Sequence, residues 1–178
     1  MRIIAGTLKN FRLISPKGQS IRPTSDRARE WIFSCLIGQI KNARVLDLFS
    51  GTGAFGLEAL SRGARSVTFI DQAAQAVDLT RKNVEKAGVS ADIFRDDAGS
   101  FLSRTDKCYD VIFLDPPYRF DQLEKLAAII CERRLLADDG ILIYETDRHE
   151  HPIELEHFSR TREQTQSRTR VVFYQYGT

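Results

Sequence analysis

Cysteine is scarce in this chain of 178 residues: Cys35, Cys108 and Cys131 are isolated and odd in number. They form no CxxC pair, which argues against a zinc site or a disulfide framework and makes a reducing cytoplasm the simplest setting. No apolar run approaches the ~20 residues of a membrane-spanning helix, so no membrane partner is expected. The opening Met1-Arg2-Ile3-Ile4-Ala5-Gly6 is too short and too soon broken for a signal peptide. Histidine is equally sparse. His149 and His151 flank Glu150 in a polar stretch, which reads as solvated loop rather than metal ligation, and no metal is expected. There is no internal repeat and no low-complexity tract. A hydrophobic content of 42% is ordinary for a globular protein, and this length suffices for one domain with a full core.

The formal net charge of +2 hides an asymmetry. Residues 1–30 carry a net +5 and residues 160–178 a net +3, against −6 for residues 31–159. Basic ends on an acidic middle suit a polyanion bound at the extremities. The same counts are equally compatible with ordinary solvated charge.

Residues 2–15 alternate loosely and break at Lys9-Asn10, predicting a short β-hairpin. This extension, residues 1–20, precedes a main domain over 21–178. Arg22-Pro23-Thr24-Ser25-Asp26 looks like a helix start, with Thr24 or Ser25 as N-cap. Trp31, Ile32, Cys35, Leu36 and Ile40 would form one apolar face of that helix. From residue 44 strands and helices alternate. Strands are predicted at Arg44–Phe49, Ser66–Ile70, Ala91–Arg95, Tyr109–Leu114 and Ile141–Glu145. Helices are predicted at Ala54–Ser61, Gln72–Ala87 and Asp121–Arg134, with Asp121 placed to cap the last. Asp138-Asp139-Gly140 reads as the turn into the fifth strand. Two further strands, near Phe158–Arg162 and Arg170–Tyr176, would pair across a polar stretch. Alternating βα units predict an α/β fold with a doubly wound, mostly parallel, seven-stranded sheet. In such sheets the first and fourth strands commonly meet where strand order reverses, and ligands bind at that crevice.

Asp115-Pro116-Pro117-Tyr118 follows the apolar fourth strand, at its C-terminal end. The prolines stiffen the loop and remove two N–H donors, leaving carbonyls free to accept. A rigid site with a carboxylate, a carbonyl and a ring face suits a planar amine such as a nucleobase. Asp115 could instead cap a helix, Pro116-Pro117 could reverse the chain, and Tyr118 could be core. The three together favour the site.

Gly51-Thr52-Gly53-Ala54-Phe55-Gly56 matches G-x-G-x-x-G, and Asp71 follows at the end of strand two, as a ribose-binding acid would. A dinucleotide is one reading and a bare tight turn another. Asp47 sits just before the turn, a poor neighbour for a pyrophosphate but a good one for a cationic sulfonium amino acid. No second domain is available for a hydride-transfer substrate, and Asp115-Pro116-Pro117-Tyr118 has no role in such chemistry. S-adenosylmethionine fits better. Gly51 and Gly53 let the backbone approach the methionine part, Asp71 accepts from the ribose, and Asp97 with Ala98 meets the adenine amine. Glu145, ending strand five, either borders the site or forms a surface pair.

D-x-F-x-G-x-G over Asp47–Gly53 with the later D-P-P-Y is similar to amino-methyltransferases acting on exocyclic amines of bases. Arg2-Ile3-Ile4-Ala5-Gly6, Arg22–Glu30 and Gly56–Ala64 resemble the signature of a narrower group, the RsmD family of bacterial 16S ribosomal RNA guanine-N2 methyltransferases. The resemblance covers residue 2 to Phe173-Tyr174. One departure is the tail, where Arg162–Gln166 replaces a short Tyr-Gly turn.

The resemblance implies a Rossmann-like, class I S-adenosylmethionine-dependent fold. It implies methyl transfer to guanine N2 of 16S rRNA within a small-subunit assembly particle, by a monomer. It adds Phe49, Ser50, Gln72 and Thr24 to the cofactor contacts. In the catalytic loop, Asp115 and the Pro116 carbonyl would accept the amine hydrogens, Pro117 would stiffen the turn and Tyr118 would stack on the base. Arg2, Lys9, Arg12, Arg22 and Arg27 would form the RNA-facing surface. A DNA adenine-N6 methyltransferase and a non-catalytic RNA-binding protein of this fold are the alternatives, and an NAD-binding protein is third.

Overall fold

Along the central strands successive side chains enter opposite apolar layers, as a pleated backbone buried on both faces requires. Val111 and Phe113, Ile141 and Ile143, and Val171 and Phe173 join one cluster. Ile112 and Leu114, Leu142 and Tyr144, and Val172 and Tyr174 join the other. The structure, a computed structural model, describes residues 1–15, 26–117, 120–150 and 153–177. The predicted cap at Thr24 or Ser25 lies outside the described residues. So do Tyr118, Arg22 and the Thr24 contact.

The elements are α1 (Asp26–Cys35), β1 (Arg44–Asp47), α2 (Ala54–Ser61), β2 (Ser66–Asp71), α3 (Ala74–Ala87) and β3 (Asp92–Arg95). Then come α4 (Ala98–Arg104), β4 (Tyr109–Leu114), α5 (Leu123–Glu132), β5 (Leu136–Asp147), β6 (Phe158–Gln166) and β7 (Thr169–Tyr176). The sheet has seven strands in the order β3-β2-β1-β4-β5-β7-β6. The first five are mutually parallel, and β7 and β6 add antiparallel. The seven-stranded, mostly parallel, doubly wound fold is the one expected, with β1 beside β4. Helices α4 and α5 cover one face. Helices α1 and α2 and the N-terminal residues Ile3 and Leu13 cover the other. Phe55 of α2 stacks on Phe113 of β4 at 3.9 Å and 7° and packs against Phe33 of α1 at 5.0 Å. Among the described residues no helix is long and apolar enough to cross a membrane.

Several boundaries differ from expectation for physical reasons. Helix α1 stops at Cys35 rather than running to Ile40. Gly38 sits at φ 87°, a left-handed conformation that ends the helix, while Leu36 and Ile40 stay buried as turn residues. Strand β1 ends at Asp47, two residues before the predicted Phe49. A seven-residue helix, α4, follows β3 where no helix was expected; the Asp97 side chain caps it by accepting from Ser100 N at 2.9 Å. Gln122, not Asp121, occupies the N-cap of α5 and makes no side-chain cap bond. Asp138-Asp139-Gly140 is not a turn before β5 but an excursion inside it, where pairing jumps from Tyr109↔Leu136 to Val111↔Ile141. Strand β6 continues through the polar Glu163–Gln166 because it is a sheet edge, exposed over most of its length, where charge is tolerated and discourages edge pairing.

The N-terminal stretch folds back on itself at Arg2↔Arg12, a single antiparallel bridge. It is held by buried side chains of the helices beneath. Glu58 accepts from Ile4 N at 2.7 Å and Ala5 N at 3.1 Å, and pairs with Arg62 at 2.7 Å. Arg29, fully buried, donates to the Arg2 carbonyl at 2.7 Å. Gly6, at φ 85°, passes so close to α2 that a Cβ there would lie 1.8 Å from the Ser61 carbonyl oxygen.

Candidate active site

All five parallel strands end on one side of the sheet, and the chemistry-bearing residues gather there. Strand β1 delivers Asp47 and, past it, Phe49, Ser50 and the glycine turn. Strand β2 delivers Asp71 and Gln72. Asp97 and Ala98 follow β3, Asp115 follows β4, and β5 ends in Glu145 to Asp147. A cleft of about 440 Å³ is lined by Phe49, Gly51, Asp71, Gln72, Asp115, Pro116, Pro117 and the Tyr144–Asp147 stretch, with Ala73, Ala76 and Glu150. A second hollow of about 250 Å³ holds Asp96, Asp97, Ala98, Phe120 and Asp121. The two share Phe49, Gln72 and Pro117, so they form one elongated crevice. Phe120 meets Phe49 edge-on at 5.3 Å, which fixes the ring between the two lobes.

The glycine turn has the geometry its motif demands. Gly53 adopts φ 77° and precedes the first residue of α2. A Cβ on Gly56 would lie 2.2 Å from the Phe69 ring, so only glycine lets α2 approach β2 this closely. Two buried polar residues of α3 hold the turn from below. Thr80 Oγ1 donates to the Gly51 carbonyl at 3.1 Å and lies 3.3 Å from Ser50 Oγ. Asn83 Nδ2 donates to the Thr52 carbonyl at 2.9 Å and the Ile14 carbonyl at 3.1 Å, and Oδ1 accepts from Ile14 N at 2.7 Å. Sequence reading passed over both. Their signal was polar residues three apart on a helix face otherwise made of Val77 and Val84.

The strand-end carboxylates sit in different environments. Asp71 accepts from Gly51 N and Ala73 N, both at 2.9 Å. Asp97 caps α4. Asp47 is 1% exposed; Oδ2 accepts from Gly56 N at 3.2 Å, while Oδ1 has no hydrogen-bond partner among the described residues. Burial pushes its carboxyl up to about 8, against the opposing Gly56 N–H and with added repulsion from Asp115 and Asp71. Glu145, left open by sequence, is 3% exposed and lines the cleft. Thr146 donates to Glu150 beside it. Among the described residues no group of three or more His, Cys, Asp or Glu could hold a metal ion.

Of the basic residues read as RNA-facing, Arg2, Lys9, Arg12 and Arg27 are exposed. Arg2, Lys9 and Arg12 lie on the N-terminal fold-back, and Arg27 on the outer side of α1. None of the four lines the crevice.

Sheet order, glycine turn and strand-end crevice together define a Rossmann-like, class I S-adenosylmethionine-dependent methyltransferase architecture. The family model described as conserved hypothetical protein 95 matches residues 1–175. The chain belongs to that family, the RsmD family. YlbH of Bacillus subtilis (strain 168) is 35% identical over 180 residues, covering 98% of each chain. The ribosomal RNA small subunit methyltransferase D of Haemophilus influenzae is 32% identical over 179 residues, covering 98% of this chain and 91% of its own. The solved structure of yhhF from Escherichia coli superposes with a TM-score of 0.88 at 32% identity, covering 99% of this chain and 97% of that one.

Proposed function

We propose that this chain transfers a methyl group from S-adenosylmethionine to the exocyclic N2 amine of a guanine in 16S small-subunit ribosomal RNA. The observation that carries the reading is the crevice itself. It joins Gly51, the first glycine of the turn, and Asp71 to the Asp115-Pro116-Pro117 loop in one continuous surface. The Haemophilus relative named for small-subunit ribosomal RNA methylation supports the substrate class.

The residues present suit the cofactor. Asp47 Oδ1 is buried and, among the described residues, unpartnered, which is costly for a carboxylate unless a cation meets it. An α-ammonium group is such a cation. Gly51 leaves the backbone open to close approach, while Gly53 packs toward Thr80 and Phe69 and lets the turn form. Ser50 and Phe49 flank the turn, and Asp71 and Gln72 stand where a ribose would lie. Asp97 and Ala98 border the second hollow, which a planar adenine would occupy; there the Asp97 side chain keeps its bond to Ser100 N. Thr24 would close the site from outside. S-adenosylmethionine supplies a sulfonium-activated methyl group.

The chain's own work is to present a weak nucleophile. The N2 lone pair of guanine is delocalised into the ring. Asp115 and the Pro116 carbonyl each hold an amine hydrogen, which turns the lone pair out of the ring plane, and the carboxylate offsets positive charge developing on nitrogen. The proline ring of Pro117 keeps the loop stiff, so little reorganisation is needed. Tyr118 stacks on the extruded base, worth roughly 1–3 kcal/mol. Arg2, Lys9, Arg12, Arg22 and Arg27 hold RNA phosphates. The substrate is taken as an assembling small-subunit particle, the enzyme as a cytoplasmic monomer.

Incubation with labelled S-adenosylmethionine and hypomethylated small-subunit RNA, particle or DNA, followed by nucleoside mass spectrometry, tests this. N2-methylguanosine in the ribosomal RNA is the expected product; N6-methyladenine in DNA would overturn the reading. Asp115→Ala should lower transfer by about 10² or more while S-adenosylhomocysteine binding, measured by calorimetry, stays within a few-fold of wild type.

A further inference from the structure

We infer that Glu145 is the residue that selects guanine, by accepting the N1–H of the base whose N2 amine is held at Asp115. This rests on the methyl-transfer reading above and extends it to base choice. Strands β4 and β5 are parallel neighbours in register through Leu114↔Tyr144. The next residue along each is Asp115, just past the end of β4, and Glu145, from which β5 runs on to Asp147. Two carboxylates thus follow one paired position on neighbouring strands, which lie ~4.8 Å apart. Both line the same cleft.

Guanine's Watson–Crick edge carries N1–H and the N2 amine as adjacent donors, and a row of carboxylates and carbonyls complements them. Adenine offers an amine beside a bare N1 lone pair, which a carboxylate repels. A carboxylate has two oxygens and about four acceptor directions, so it can serve several donors at once. At 3% exposure little water competes for the Glu145 side chain, which strengthens a hydrogen bond it makes with a base. Asp115 holds the reacting amine. Glu145 reads the neighbouring position and thereby the identity of the base.

The test uses the full chain with small-subunit RNA carrying guanine or 2-aminopurine at the target position. 2-Aminopurine keeps the C2 amine but has a lone pair in place of N1–H. Wild type should favour guanine in kcat/KM. Glu145→Gln should lower kcat/KM for guanine by about tenfold or more and narrow the guanine-to-2-aminopurine ratio by a similar factor, because the glutamine amide can donate to the bare N1. Intrinsic differences in amine reactivity cancel in comparing the two ratios. S-adenosylhomocysteine affinity and melting temperature are measured alongside. If the ratio is the same in both proteins, Glu145 does not read the base, whatever happens to overall rate or stability. If wild type methylates neither RNA, the function proposed above falls and this inference with it.

Discussion

Asp47 carries opposed demands. With its carboxyl raised to about 8 by burial, the folded protein binds a proton between about pH 4 and 8 that the unfolded chain does not. Stability therefore falls as pH rises across that window and levels off above it. An ammonium group at Oδ1 reverses the balance, because it draws the carboxyl to its ionised form. Affinity for S-adenosylhomocysteine should rise with pH up to about 8 and then flatten. Asp47→Asn keeps an acceptor for Gly56 N and removes the charge. It should raise the melting temperature of the ligand-free protein at pH 8 and weaken S-adenosylhomocysteine binding at the same pH. Calorimetry and thermal unfolding across pH 5–9 separate the two effects. A variant that binds the ligand as tightly as wild type would remove Asp47 from the cofactor site.

Helix α3 lines the cleft only with Ala76 among the described residues, and does more from beneath. Its buried face places Thr80 and Asn83 under the glycine turn. Asn83→Ala strands two backbone carbonyls and one N–H at once. It should cost about 1–3 kcal/mol of stability, read as a lower urea midpoint, and should loosen cofactor binding with no change in base preference. Elements with apolar cores were readable in the chain. Strand β4 and helix α2 fall where hydrophobic runs and glycine stops put them. Elements governed by tertiary context were not. Helix α4 is seven residues long, too short for periodicity to register, and nothing in the sequence marks Asp97 as its cap. Edge strand β6 needs little apolar pattern because neighbouring β7 supplies the buried surface. The strand-end acids were legible because each closes an apolar run. Thr80 and Asn83 were not, since a polar residue on a buried helix face declares itself only once its partners, 29 to 69 residues away, are in place.

The whole molecule separates charge from chemistry. The crevice is rich in carboxylates, whereas Arg2, Lys9 and Arg12 are exposed on the N-terminal fold-back and do not line it. A polyanion bound through those cations leaves a record in salt. Replacing Arg2, Lys9 and Arg12 together by alanine should reduce the log–log salt slope of RNA binding by about one for each phosphate no longer neutralised, with cofactor affinity unchanged. An unaltered slope would place the RNA elsewhere. The fold-back has a further consequence during synthesis. Its backbone bonds to Glu58, Ser61 and Asn83 span 53 to 69 residues of chain. Residues 1–14 therefore leave the ribosome well before anything exists for them to grip. They must stay unattached while the βα units behind them are still being made, and their docking closes the glycine turn from beneath through Asn83. Every one of those partners is in place once Asn83 has been made, while β4 to β7 are still to come, so the segment translated first can settle beneath the glycine turn before most of the sheet exists.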